Sequence, residues 1–244
     1  MTWIRSDVVD GVLHSAVRAV ARSATYALYG RNYAAPLNPT AMLFVDPTAI
    51  TSIPVDKPRP PLPVLSGVKD GEWDRHTRAV TEDVVSESFR ERFEQGCSWE
   101  ETEYHSFMLD RLNCSSGEWQ QYRELSDVRR RYDRLDRLYE TIKSVGYKPQ
   151  HELTDEQFVD FTNKNQGLGI TLPPEFREVS VYVSRDGEFM WAAGMHRLCI
   201  AQLVGVETIP VRIRLRHEAW QQHRDAVYTG RREPSAHPDL RDLR

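Results

Sequence analysis

The stretch 179–205 constrains the fold of this 244-residue chain more than any other, because its hydrophobic period changes from that of a strand to that of a helix across one glycine. Val179, Val181 and Val183 alternate with polar neighbours, the pattern of a half-buried strand. Asp186 and Gly187 make a two-residue hairpin turn, and residues 189–192 return as a second strand. Gly194 then frees the backbone to bend sharply before the apolar run that begins at Leu198. The first amide groups of a helix starting at that bend have no intrahelical acceptor, and the helix dipole adds partial positive charge to them. An anion is favoured at such a corner. His196 and Arg197 fall on it, and a guanidinium can grip a phosphate or carboxylate with two parallel hydrogen bonds. A plainer reading stands beside this one, in which the His-Arg pair caps the helix and pairs with a nearby carboxylate of the protein.

The flanks add to the motif. The series from Val179 to Trp191, Gly194 to Arg197, Leu198 to Gly205 and Thr208 to Ile213 resembles the ParB/sulfiredoxin-like superfamily, in which a hairpin leads into Gly-x-His-Arg, a helix ending in Gly and a short Ile-Pro-Val strand. Residues 138–150, with Gly146 and Gln150, are similar to that family's helix, glycine and glutamine box. Residues 43–50, with Asp46-Pro47 and Ile50, are similar to its opening strand. The resemblance covers about the last 110 residues and a short upstream piece. It implies an α+β fold with a small mixed sheet, and nucleotide phosphate binding at the Gly-x-His-Arg turn. Members of the superfamily phosphorylate a sulfinic acid or free serine, or bind and hydrolyse CTP while clamping DNA, so the turn implies a ligand type and not one reaction. Ala193 stands where many relatives carry Asp or Gly, and Met195 stands where sulfiredoxin carries its reactive Cys, which disfavours sulfinic acid reduction.

Composition narrows the partners. A net charge of -4 gives no global attraction to nucleic acid or an anionic membrane. No apolar run approaches the length of a membrane span and no leader pattern opens the chain, so the expected location is cytoplasmic. Cys97, Cys114 and Cys199 are widely spaced without a Cys-x-x-Cys pair, which argues against a disulfide framework or structural zinc. Cys199, two residues past Arg197, is either a thiol activated by the helix start or a small buried apolar residue.

Helical spacing predicts helices over 7–28, 81–95 and 121–145, the last with Leu125, Val128, Tyr132, Leu135, Tyr139 and Ile142 on one face. Its other face mixes Arg129, Arg130, Arg134 and Arg137 with Asp127, Asp133 and Asp136, a solvated face laced with salt bridges. Ser98 to Glu101 reads as a capping box opening a further helix. The prolines between 54 and 63 exclude a helix there. Leu153 to Phe158 starts a short helix, and the glycine loop 163–169 lacks the ending of a Walker loop. Arg212, Arg214 and Arg216 alternate on one face of a strand that either lines an anion site or is an exposed edge guarded by charge. The tail 230–244 is expected to be mobile.

Glu72, Trp73 and Asp74 follow a glycine turn. They present either a flat face for a nucleobase with carboxylates for metal or an acceptor, or a buried anchor with solvated acidic neighbours. Taken together, the expected organisation is an N-terminal helix and connector over 1–40, the first strand and proline loop of the core over 41–69, and a helical insertion over 70–137. The ParB/sulfiredoxin-like core follows over 138–220, and the final helix end and tail over 221–244. The expected activity is Mg2+-dependent phosphotransfer or nucleotide hydrolysis with ATP or another nucleotide and a small-molecule or protein acceptor. In that scheme Arg197 clamps phosphate, His196 donates to it, and the backbone of Gly194 and Met195 cradles it. Trp73 takes the base, and Asp46, Glu72 or Asp74 holds metal or activates the acceptor. The alternatives are a DNA-associated clamp or nuclease, which calls for a nucleic-acid surface, and a noncatalytic interaction protein.

Overall fold

The computed structural model of the chain describes residues 3–112, 122–153 and 172–243. In chain order the elements are α1 (Trp3–Tyr29), β1 (Leu43–Val45), β2 (Ser52–Pro54), β3 (Gly67–Lys69), β4 (Thr77–Ala79), α2 (Val84–Phe93), α3 (Glu103–Leu109), α4 (Leu125–Val145), β5 (Val179–Val183), β6 (Phe189–Ala193), α5 (Met195–Val204), β7 (Ile209–His217) and α6 (Glu218–Tyr228). The fold is α+β, with one mixed seven-stranded sheet. The chain divides into two units, a sheet unit made of residues up to 80, 172–194 and 208 onward, and a helical unit made of 81–171 and 195–207. Among the described residues no helix is long and apolar enough to cross a membrane.

In the sheet unit, β7 is an interior strand and the longest one. It runs parallel to β5 along one edge, while β1 (antiparallel) and β3 (parallel) share the other. The order β1-β7-β5-β6-β2-β4 continues through the β5–β6 hairpin, then parallel β2 and antiparallel β4. β7 is therefore no exposed edge. Its register against β5 also slips, since Val181 faces Ile213 but Tyr182 faces Leu215, leaving Arg214 as the extra residue of a bulge. Strict alternation through Arg212, Arg214 and Arg216 fails for that reason. β4 lies inside the stretch expected to be a helical insertion, and pairs with β2 from Thr77 to Ala79.

The β5–β6 turn holds three residues where two were expected. Gly187 N–H donates to Ser184 O at 3.1 Å, Ser184 N–H donates to Glu188 O at 2.9 Å, and Gly187 sits at φ 92°. That is a hydrogen-bonded β-turn closed by a left-handed residue, which glycine supplies at no steric cost.

The expectation of a mobile tail is also corrected. A 3₁₀ turn, Pro238–Leu243, docks on the sheet unit with Asp239 and Leu240 buried. Arg216 donates to both carboxylate oxygens of Asp239 at 2.8 and 2.5 Å, Trp220 Nε1 donates at 2.9 Å, and Arg224 Nη1 lies 3.0 Å from Oδ1. One carboxylate thus serves two buried guanidinium groups, and pairing of this kind is what makes buried charge tolerable.

The helical unit is built around aromatic stacking. Phe93 stacks on Tyr139 at 3.9 Å and Trp99 on Tyr132 at 5.0 Å, so the periodic faces of α2 and α4 meet as their spacing predicts. The capping box forms, with Glu101 accepting from Ser98 N–H at 2.7 Å, although it opens a 3₁₀ turn before α3 begins. Asp136, expected on a solvated face, accepts from Arg92 at 2.8 Å and from Trp99 Nε1 at 3.0 Å.

Removing the Asp239 carboxylate leaves Arg216 buried without its bonded counter-charge and Arg224 with Asp242 alone, and Asp239→Ala is expected to cost about 3–5 kcal/mol in urea unfolding at pH 7. Burial acts to raise this carboxyl, but Arg216 and Arg224 more than offset it and hold it below the ordinary range. Its contribution is complete above the unfolded-state value and is lost as pH falls through the folded one. Asp239→Asn should therefore flatten the acid limb of the stability curve; an unaltered limb refutes the assignment.

Candidate functional site

Gly194 is the single residue between β6 and α5, at φ 86°. A Cβ there would lie 3.0 Å from the Cα of Val179 on the neighbouring strand, so both the conformation and the close approach require glycine. The strand, glycine, helix series expected from sequence is present, and the first amides of α5 are those that a helix start leaves without an acceptor in the helix itself. Met195 is buried.

In the helical unit, Arg197 is half-buried at the third position of α5 and donates to Tyr147 Oη at 3.2 Å. It lines a hollow with Leu138 and Ile142 of α4 and with Tyr147, Lys148 and Gln150 just beyond. α4 ends at Gly146, whose φ of 82° turns the chain so that these three residues follow the helix directly. The hollow is lined by apolar side chains together with two cationic side chains, a phenol and an amide. That pairing suits an anion carried on an apolar or planar body.

His196 faces a different set of groups. Its ring stacks on Phe89 at 5.7 Å, Arg131 Nη2 donates to its Nε2 at 3.2 Å, and Tyr104 Oη lies 3.1 Å from the same nitrogen. Arg131, 5% exposed, also donates from Nε to Tyr104 Oη at 2.6 Å and from Nη1 to Tyr122 Oη. A guanidinium can only donate, so Nε2 must accept, and the proton of the neutral ring sits on Nδ1. Burial first, then the charges of Arg131 and Arg197, hold the imidazole well below the ordinary histidine range. His196 thus braces the start of α5 as a neutral ring. Arg131 escaped the sequence reading, yet a signal was there: it lies three residues after Val128 and four before Leu135, on the apolar stripe of α4.

The acidic and aromatic candidates sit in the sheet unit. Trp73 is the buried anchor of the two readings, packed edge-on to Tyr182 at 5.8 Å, with Nε1 donating to Lys69 O at 3.2 Å. Asp74 is not solvated. Its oxygens accept from Arg185 Nη2 at 2.7 Å, Nε at 2.9 Å and backbone N–H at 2.8 Å; burial acts to raise its carboxyl, but these bonds keep it below the usual range. Glu72 is exposed and pairs with Arg75 at 2.6 Å. Asp46 caps a 3₁₀ turn, its Oδ1 accepting from Thr48 N–H at 2.8 Å and from Thr48 Oγ1 at 2.7 Å, which lowers its carboxyl. Each of the three carboxylates thus has a partner within the protein, and among the described residues no group of three or more His, Cys, Asp or Glu side chains is set to hold a metal.

Cys199 is buried, 3.0 Å from Ser86 Oγ, and burial pushes its thiol up to about 12. It is the small packed residue, with no thiolate at neutral pH. Cys114, most of the short helix from Leu153 to Phe158 and the glycine loop 163–169 lie outside the described residues. Comparison with protein-family models, with curated proteins and with solved structures finds no match for the chain.

Two outcomes check this geometry. Gly194→Ala puts Cβ against Val179 at a positive φ and should destabilise by about 1–3 kcal/mol in urea unfolding. His196 binds fewer protons folded than unfolded below about pH 6.5, so it makes stability fall as pH drops through 6.5 toward 5. His196→Gln should remove that part of the slope, and Nε2 should remain unprotonated by nitrogen NMR from pH 5 to 8. A normal titration of the folded ring refutes the network.

Proposed function

We propose that the chain is a nucleotide-binding protein of the ParB/sulfiredoxin-like type, with Arg197 as the residue that holds the phosphate. The observation that carries this reading is the half-buried guanidinium of Arg197 at the start of α5, lining a hollow with Tyr147, Lys148 and Gln150. Two cations facing a ligand favour charge, and the helix start favours an anion. Leu138 and Ile142 supply an apolar wall for the remainder of the ligand. The resemblance in the hairpin, glycine and helix series supports the same placement of phosphate.

The role of His196 changes within this reading. It orients the helix start instead of donating from Nε2, because that nitrogen accepts from Arg131. Asp46 and Asp74 are held by Thr48 and Arg185, and Glu72 pairs with Arg75. Recognition of the nucleotide is therefore supported further than phosphotransfer, and no metal-assisted step is assigned.

The test is calorimetric titration of the full chain with nucleoside mono-, di- and triphosphates in EDTA, beside the parent nucleosides. Phosphorylated ligands should bind and nucleosides should not. Arg197→Ala should weaken binding by about 10–100-fold, the range for losing a charge-assisted hydrogen bond. Equal affinity in a variant that keeps its fold excludes Arg197 from the site.

A further inference from the structure

The sheet unit holds a second concentration of positive charge, at Arg212 and Arg214 of β7, where among the described residues no carboxylate bonds to either guanidinium. Arg212 is 3% exposed, yet among the described residues its hydrogen bonds go only to backbone carbonyls, Pro63 O at 2.9 Å and Leu65 O at 3.5 Å, while its charge lies 5.1 Å over the Phe176 ring. Its Nε is buried with no partner. Arg214, half-buried, has its own Nε buried and unpartnered, and makes no hydrogen bond or ion pair among the described residues. The acid that acts on Arg212 is Glu175, already held by Arg18 in two bonds of 2.6 and 3.0 Å.

The contrast lies on the same strand. Arg216 is equally buried, and the chain docks its own tail to bring Asp239 against it. Among the described residues Arg212 and Arg214 receive nothing comparable, and each opposes the other's charge: burial and then Arg214 pull the Arg212 guanidinium down to about 9, still protonated at neutral pH. Arg214 is the extra residue of the β7 bulge, and bulges re-aim side chains out of the regular alternation. Arg59, exposed on the proline loop, adds its field to that of Arg214 at the Tyr182 phenol. Buried cations without counter-charge are costly unless an anion from solution completes them.

We propose that Arg214 and Arg59, backed by the buried Arg212, form a binding site for a small oxyanion of the phosphate class, inorganic phosphate or a phosphate monoester. A small ion fits better than a nucleic-acid backbone, because the charge gathers around one bulge instead of running along a surface, and the chain as a whole is acidic. This site is independent of the Arg197 assignment.

The experiment titrates inorganic phosphate into the full-length Arg197→Ala protein at low ionic strength and pH 7.5, so that binding at the hollow of the helical unit does not contribute. Saturable binding is expected. Arg214→Gln in that background should weaken it about tenfold, the loss of one guanidinium contact, and Arg59→Ala, at an exposed position that leaves the fold intact, about threefold. Arg214→Lys should recover part of the affinity. A phosphate monoester should compete with phosphate at this site. Absence of saturable binding, or unchanged affinity in both Arg214→Gln and Arg59→Ala, overturns the proposal. Displacement of phosphate by a short DNA duplex, with affinity falling steeply in salt, overturns the small-ion assignment.

Discussion

Strand β7 is paired on both edges and buried on both faces except at the half-buried Arg214, and that burial decides the fate of the arginines it carries. On an exposed face they would stand in water, where a guanidinium costs nothing to keep. In the middle of the sheet each must find compensation within the protein or outside it. Arg216 finds it in Asp239, and the demand for that carboxylate explains why the last residues of the chain fold back as a 3₁₀ turn instead of trailing in solvent. Trp220 and Arg224 of α6 converge on the same group, so strand, helix and tail are joined through one carboxylate. Arg212 settles for carbonyl oxygens and a ring face, a weaker form of compensation that leaves its charge partly unanswered.

The helical unit handles buried charge differently. Arg131 is surrounded by the hydroxyls of Tyr104 and Tyr122 and by the ring nitrogen of His196, acceptors without formal charge. Such a set holds a guanidinium in place while leaving its field in force. Because Nε2 of His196 is committed to accepting, the ring is oriented, and the backbone of α5 is oriented with it. Arg197 follows in sequence, so the direction of its side chain inherits this bracing. A neutral, oriented histidine beside a half-exposed arginine is a better frame for recognising an anion than for exchanging protons with it.

Much of this was legible in sequence where local rules dominate. The β5–β6 hairpin, the glycine corner, the start of α5, the helix-ending Gly146 and the aromatic stripe of α4 all follow from period and backbone preference, which act over a few residues. What sequence did not reveal depends on distant pairing. Nothing local says that Thr77–Ala79 will add to β2, that a bulge at Arg214 will break the alternation of β7, or that Asp74 will be captured by an arginine more than a hundred residues away. The acidic residues looked available because their partners were far off in the chain. Trp73 left two readings open for the same reason, since only the packing of Tyr182 against it distinguishes anchor from platform.

Arg131 belongs to an intermediate case. Its spacing on α4 placed it on the apolar stripe, and a cation there demands either a misassigned face or a buried set of acceptors. Tyr104, Tyr122 and His196 come from three separate segments to meet that demand, so the exception to the helix pattern marks where they converge. The same logic applies to β7, where the residue that breaks the strand's alternation is also one whose charge meets no carboxylate among the described residues. In both units the positions that violate a local rule are those at which buried positive charge is concentrated, and a fold that keeps such positions must have acceptors, internal or external, to set against them.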